Sequence, residues 1–189
     1  MQTRHLARSL FATKGYANVG MRELASALGI GCGSIYNHIE SKEALLYEFI
    51  EELYEVLYVN AMRTRHCASA AERLRAVLHM HLGLHDSMAE HFLLAEQEWR
   101  NLDPGHQQQA LQQRERYEQV LMACLPPSLP RAACARSIVS LLNQAAVWAP
   151  FSGTGMAAGG VVEAMVAALL SNAATAMEDG RERQRVSSA

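Results

Sequence analysis

Between residues 31 and 42 the chain crowds small and polar side chains together: Gly31, Cys32, Gly33, Ser34, Tyr36, Asn37, His38 and then Lys42. Hydroxyl, amide and imidazole groups of this kind bond to phosphate oxygens and base edges, and glycines let backbone amides approach an anion closely. This is a recognition pattern. A second cluster, "HMHLGLHD", puts His81 and His85 four apart on one helix face, where Asp86 or Glu90 would complete a metal site. His79 falls elsewhere on the helical wheel and no carboxylate is tied to the pair, so surface or pocket histidines are expected and no metal. Cys32, Cys67, Cys124 and Cys134 share no paired spacing and read as free thiols in a reducing cytoplasm. The motifs GxSxG, HExxH and GxxxxGK[ST] are missing, and "SGTGMAAGG" follows a helical pattern rather than a strand. Neither an enzyme nor a cofactor is expected.

Half of the 189 residues are hydrophobic, ample for a buried core. The net charge of −2 argues against a protein that coats nucleic acid, but the charge is unevenly spread. Over residues 1–39, Arg4, Arg8, Lys14 and Arg22 face Glu23 alone, a net +3 on an otherwise acidic chain. A basic end on an acidic body turns one face towards an anion. The start has no apolar core of signal-peptide type. The apolar stretches 132–149 and 161–177 are interrupted by Arg136, Asn143 and Gln144 and by Glu163, so they are expected as buried helices, with no membrane partner.

Strand signals are nearly absent, whereas helical spacing recurs. Residues 3–14 carry Leu6, Ala7, Leu10 and Phe11 on one face and stop at Gly15; residues 21–28 carry Leu24, Ala25 and Leu28 and stop at Gly29. A short helix is expected at about 33–38. A long one follows Ser41, a natural N-cap, and Glu43 suits the positive end of its dipole. Further helices are predicted at about 69–89, 91–101, 106–124, 130–149 and 159–178, with a polar tail beyond. The fold class is all-α.

Gly29 supplies the positive φ that a tight turn between helices requires, and Leu24, Leu28, Ile30 and Ile35 can form one apolar cluster across it. These are the demands of a helix-turn-helix, in which the second helix enters the DNA major groove. The segment "LFATKGYANVGMRELASALGIGCGSIYNHIESKEALL" resembles the N-terminal DNA-binding domain of the TetR family of bacterial transcriptional regulators, over about residues 6–48. The resemblance implies an all-helical homodimer whose last two helices, about 130–149 and 159–178, form an intersubunit bundle. It implies a helix-turn-helix domain at 1–48 and an effector-binding and dimerisation domain at 49–189. The recognition helix would be about 32–38. Cys32, Gly33, Ser34, Tyr36, Asn37 and His38 would face DNA; Gly20, Met21 and Arg22 would start the supporting helix; and Lys42 would grip the backbone. The family usually has Lys where Cys32 stands, a Ser or Thr cap at Gly20, and Phe at Ile39; the first two departures remove phosphate contacts. The chain also begins almost inside its first helix, so either the basic leader of many relatives is absent or the true start lies upstream.

The body resembles the family only in outline. Val139, Leu142, Ala146 and Ala149 are expected to pair with Val162, Met165, Val166, Leu169 and Ala173 as apolar faces, rich in small residues, of an obligate interface. Candidate effector-binding residues are His79, His81, Phe92, Trp99, Arg114, Tyr117, Asn143, Gln144 and Trp148, a set that supplies both apolar lining and polar groups. The stretches "EQEWRNLDPGHQQQALQQRERYEQVL" and "LLNQAAVW" are similar to members that answer to acyl-CoA thioesters, with Arg114 and Arg116 towards the CoA phosphate or solvated on a helix surface. The expected function is a cytoplasmic, ligand-responsive regulator, a repressor, that binds a palindromic double-stranded DNA operator as a homodimer and is released by a small hydrophobic effector. A helical small-molecule-binding enzyme and a helical interaction module without DNA function stand as alternatives.

Overall fold

The computed structural model describes residues 2–152 and 160–172, with the side chains of 2, 3 and 148–152 excepted. Eight α-helices occur among the described residues: α1 (Gln2–Lys14), α2 (Met21–Ala27), α3 (Lys42–Arg63), α4 (Ala70–Leu82), α5 (Ala89–Gln97), α6 (Pro104–Cys124), α7 (Arg131–Ser152) and α8 (160–172). No strand occurs among them. The chain gathers into two compact units, one of Met1–Leu57 with Leu84–Glu115 and the other of Tyr58–Gly83 with Arg116–Ala189. The chain passes between the units three times, within α3, just after α4 and within α6. No described helix is long and apolar enough to cross a membrane.

Local sequence accounts for most helix ends. Gly15 and Gly29 hold φ values of +81° and +67°, which stop α1 and the turn after α2 in backbone that side-chain-bearing residues avoid. Ser41 caps α3, its Oγ accepting from the Ala44 amide at 2.9 Å. Ser69 caps α4 in the same way through the Glu72 amide. Pro104 opens α6, where its missing N–H costs nothing.

In the first unit, Leu46, Phe49, Ile50, Leu53 and Leu57 recur on one face of α3, and all are at most 2% exposed. Ala7 and Phe11 of α1 and Leu24 and Ala25 of α2 are fully buried with them, and Phe11 meets Phe49 edge-on at 6.3 Å. Each large side chain so buried contributes roughly 1.5–3 kcal/mol. Polar ties reinforce the packing of α1 on α5: Arg8 Nε donates to Glu90 Oε2 at 2.8 Å, and Ser9 Oγ donates to Glu90 Oε1 at 2.5 Å. Arg4 pairs with Glu48 at 2.8 Å, and Lys14 pairs with Glu23. Three of the four basic residues read as an anion-facing end are thus paired with carboxylates of the same chain. Arg22 is exposed, with no ion-pair partner among the described residues.

In the second unit, Ile138, Val139, Leu142 and Ala146 of α7 and Val162 and Val166 of α8 are buried within one chain. Of the apolar faces expected to meet a second subunit, Val139, Leu142, Ala146, Val162 and Val166 are intrachain core, Leu169 is half-buried, and Ala173 and the Ala149 side chain lie outside the described residues. Met165 stays 49% exposed, beside Val161 at 57%.

Candidate nucleic-acid interface

After α2 the chain turns through Gly29, and the Ile30 amide reaches back to the Ala25 carbonyl at 3.0 Å. From there the backbone runs through tight turns: Ser34 N to Gly31 O, Asn37 N to Ser34 O and His38 N to Ile35 O, at 2.8–3.0 Å. The expected recognition helix at 32–38 is only a 3₁₀ turn over Ile35–Asn37. The physical reason is local. Gly31 and Gly33 each cost a helix about 1 kcal/mol, and Ser34 and Asn37 compete for the backbone, so the segment tightens into i+3 bonds.

A single anchor sets its orientation. Ile35 is 1% exposed, while Cys32, Gly33, Ser34, Tyr36, Asn37 and His38 all lie on the surface. Tyr36 is 64% exposed, unusual for an aromatic ring with nothing to cover it. Gly20 and Arg22 are exposed at the start of α2, and Met21 is half-buried. The ten candidates therefore include eight surface positions, drawn from two short stretches, 20–22 and 32–38.

Lys42 behaves differently. Its Nζ donates to the Tyr16 and Val19 carbonyls at 2.9 and 2.8 Å and sits 4.0 Å from the Tyr16 ring centroid. Burial lowers the pKa of this ammonium, against the opposing charge of Glu98. Burial, then Glu43 and Glu98, raises that of the Tyr16 phenol. In this conformation the Lys42 ammonium fastens α3 to the turn after α1.

The effector candidates divide between the two units. In the first, Phe92 is fully buried with the His85 ring edge-on at 5.2 Å, and Trp99 is half-buried beside Arg100. Arg114 reaches Glu96 at 3.2 Å and the Tyr54 hydroxyl at 3.5 Å. In the second unit, His81 and Tyr117 come together, Nδ1 to hydroxyl at 3.0 Å, both 1% exposed. Asn143 is fully buried; His79 and Gln144 are exposed; the Trp148 side chain lies outside the described residues. Arg116 lies over the Tyr58 ring at 3.7 Å.

Two arrangements have no local signature in the sequence. A cleft of about 630 Å³ is lined by Arg4, His5 and Arg8 of α1, by Phe49 and four glutamates of α3, and by Gln113; no effector candidate lines it. Glu43, Asp103 and His106 meet from positions some sixty residues apart. The "DPGH" turn announces the start of α6, but nothing in it points to Glu43.

An outward polar segment held by one apolar residue, after the positive-φ turn that ends α2, is the arrangement expected of a helix-turn-helix DNA-binding regulator. The family model for bacterial regulatory proteins of the tetR family matches residues 5–49, and the model for the tetracyclin repressor-like C-terminal domain matches residues 67–174. The chain belongs to the TetR family. It is 36% identical over 53 residues to the HTH-type transcriptional repressor KstR2 of Rhodococcus jostii, a stretch covering 28% of this chain and 26% of that protein. The matched stretch is thus about a quarter of the relative's length. The crystal structure of the TetR family regulator PfmR from Thermus thermophilus aligns over 90% of this chain and 97% of its own, at 26% identity and a TM-score of 0.79. AibR, solved in complex with isovaleryl coenzyme A and operator DNA, shares the fold over 89% of this chain and 96% of its own, at 20% identity and a TM-score of 0.75. The family consists of transcriptional regulators that bind operator DNA and small-molecule effectors, typically as dimers.

Proposed function

We propose that this protein is a cytoplasmic, ligand-responsive repressor that grips a palindromic operator as a homodimer. Residues 1–48 act as its DNA-binding domain and 49–189 as its effector-binding and dimerisation domain. The observation that carries the reading is the outward segment 32–38, where Tyr36, Asn37 and His38 face solvent beside the buried Ile35. Gly33 admits the DNA backbone, Ser34 and Arg22 hold phosphates, and Tyr36, Asn37 and His38 reach base edges and phosphates. Gly20, Met21 and Cys32 complete the contact surface. Lys42 reaches a phosphate by leaving the Tyr16 and Val19 carbonyls, so its contribution includes the cost of breaking those bonds. Dimerisation uses the helices at about 130–149 and 159–178, with Val161 and Met165 as the exposed apolar residues of α8.

The effector is a small hydrophobic molecule, and an acyl-CoA thioester is the class we favour; the isovaleryl coenzyme A bound by AibR supports that choice only at the level of a shared fold. His81, Tyr117 and Asn143 are the buried polar groups that would orient such a ligand among apolar walls. The thioester relieves repression by binding better to the conformation with lower DNA affinity.

Fluorescence polarisation on duplex from the gene's own upstream region tests this reading. Binding should fall steeply with salt as phosphate contacts are lost, and a pool of acyl-CoA thioesters should release the duplex. Salt-sensitive binding untouched by the pool rejects that effector class and leaves the regulator standing. Absence of binding to any upstream or genomic duplex rejects the DNA-binding reading.

A further inference from the structure

The first turns of α3 and α6 meet at a knot of three side chains that DNA recognition does not use. Asp103 caps α6, its Oδ1 accepting from the His106 amide at 2.8 Å. Glu43 Oε1 accepts from the Asp103 amide at 3.0 Å. Each carboxylate is thereby oriented through one oxygen, and both turn towards the same imidazole nitrogen, Glu43 with its two oxygens each 3.0 Å from it. His106 Nδ1 lies 3.0 Å from Glu43 Oε2 and 3.4 Å from Asp103 Oδ2. The imidazole is in turn held flat against the Tyr47 ring, with centroids 4.3 Å apart and planes at 15°.

The two nitrogen–oxygen spacings fit a metal ion, and all three ligand atoms lie within 4.8 Å of one another. Tetrahedral Zn²⁺ with bonds of 2.0–2.2 Å sets its ligand atoms roughly 3.3 Å apart. The charges fit as well: among the described residues neither carboxylate has a lysine or arginine within ion-pair distance, so two negative charges share one imidazole. A divalent cation neutralises both and takes the place of the proton between Nδ1 and the carboxylates. The caps survive, because Glu43 Oε1 and Asp103 Oδ1 keep their amides while Oε2 and Oδ2 ligate; such amide partners orient the ligands of metal sites. The Asp103 side chain is 56% exposed, which leaves the remaining coordination positions to water.

We propose that Glu43, Asp103 and His106 form a binding site for a first-row divalent transition metal, Zn²⁺ by ligand set, which clips α3 to α6 in the first unit. The imidazole directs the choice, since Mg²⁺ and Ca²⁺ prefer all-oxygen shells. The site stands whether or not the effector reading does.

The test uses the full chain, stripped with a chelator and titrated with ZnCl₂ in competition with a chromophoric zinc indicator. One equivalent of Zn²⁺ per chain should bind and raise the melting temperature, and excess Mg²⁺ should not displace it. His106→Gln and Asp103→Asn should each weaken binding by about tenfold or more. Asparagine caps helices as well as aspartate does, so Asp103→Asn removes charge and ligand while keeping the fold. Cobalt substitution should give ligand-field bands without thiolate charge transfer, and Cys32→Ser should bind zinc like the parent chain. Lack of stoichiometric binding, parental affinity in both His106→Gln and Asp103→Asn, thiolate bands, or equal competition by Mg²⁺ would each overturn the proposal.

Discussion

Two groups of polar side chains in this protein face opposite ways. Tyr36, Asn37 and His38 stand on the surface of a short turn, held there by one buried neighbour, Ile35. His81, Tyr117 and Asn143 lie inside the second unit, none more than 1% exposed, with His81 and Tyr117 hydrogen-bonded to each other. The first group can be altered without disturbing anything that holds the fold. The second cannot, because a polar group out of water must keep its partner. The difference separates residues kept for an external partner from residues whose first role is to satisfy one another.

The adjacent pair Ile35 and Tyr36 puts that difference to its hardest test. Ile35→Ala should lower unfolding stability by about 2–5 kcal/mol, since it empties a filled core position. Operator binding should fall with it as the outward segment loses its anchor. Tyr36→Ala should leave stability within about 0.5 kcal/mol and still weaken operator binding severalfold. Urea unfolding and polarisation on the same samples separate the two. Equal destabilisation by both would break the comparison, since Tyr36 would then belong to the frame.

For the inward group, Tyr117→Phe removes the hydroxyl that His81 Nδ1 meets and changes the volume of the site very little. The expected loss is about 1–2 kcal/mol. A neutral result by thermal or urea unfolding would show that the pair is not structurally required, which would sharpen its claim to be kept for a ligand.

Much of the frame was legible in the sequence because its signals are local. Ser41 capping α3, Gly29 at positive φ, and helix starts at 70, 104 and 131 all follow from residues within a turn of the feature they set. The outward segment was legible in place but not in form: two glycines and two backbone-competing side chains made a 3₁₀ turn where a helix of about seven residues was expected. Lys42 shows the limit of position-by-position reading, since its ammonium is taken up by carbonyls some twenty-five residues earlier. The same holds for Arg4 and Arg8, whose partners Glu48 and Glu90 lie in other helices. The Glu43–Asp103–His106 knot and the pairing of His81 with Tyr117 depend on packing between distant helices, which no local pattern announces.

Acid should expose another inward group before the surface responds. His91 is 3% exposed and lies 3.2 Å from Arg8 Nη1 and 3.5 Å from a Glu52 oxygen. Burial, and then Arg8, lowers its pKa below the ordinary 6.5, against the opposing pull of Glu52 and Glu90. The unfolded chain therefore binds this proton more readily than the folded one, and stability should decline as pH falls below about 6.5. Burial also lowers the pKa of His85, despite Asp86, so it adds to the same decline. Glu90 has a depressed pKa because Ser9 and Arg8 outweigh its burial, so its contribution disappears at lower pH, as the carboxylate protonates below about 4.5. Urea midpoints between pH 8 and pH 5 should fall monotonically (the range being roughly that in which imidazoles titrate), and His91→Gln should flatten part of the slope. A midpoint that rises on acidification would mean that Glu52 and Glu90 govern His91 instead.

The smallest effects separate two glycines four residues apart. Gly29 holds φ at +67° with open space where a Cβ would sit, so Gly29→Ala is a pure backbone test. Strain in that conformation should cost about 1 kcal/mol. Gly33 also has open space around a Cβ but no positive φ. Alanine there should be tolerated and should favour helix by roughly 0.5–1 kcal/mol. If Gly33 is kept only to admit a DNA backbone, Gly33→Ala should raise the melting temperature slightly while weakening operator binding. Gly29→Ala should lower both, because it tilts the whole segment. Should Gly33→Ala instead bind the operator as well as the parent chain, close backbone approach at that position is wrong, and contact rests on Tyr36, Asn37 and His38 alone.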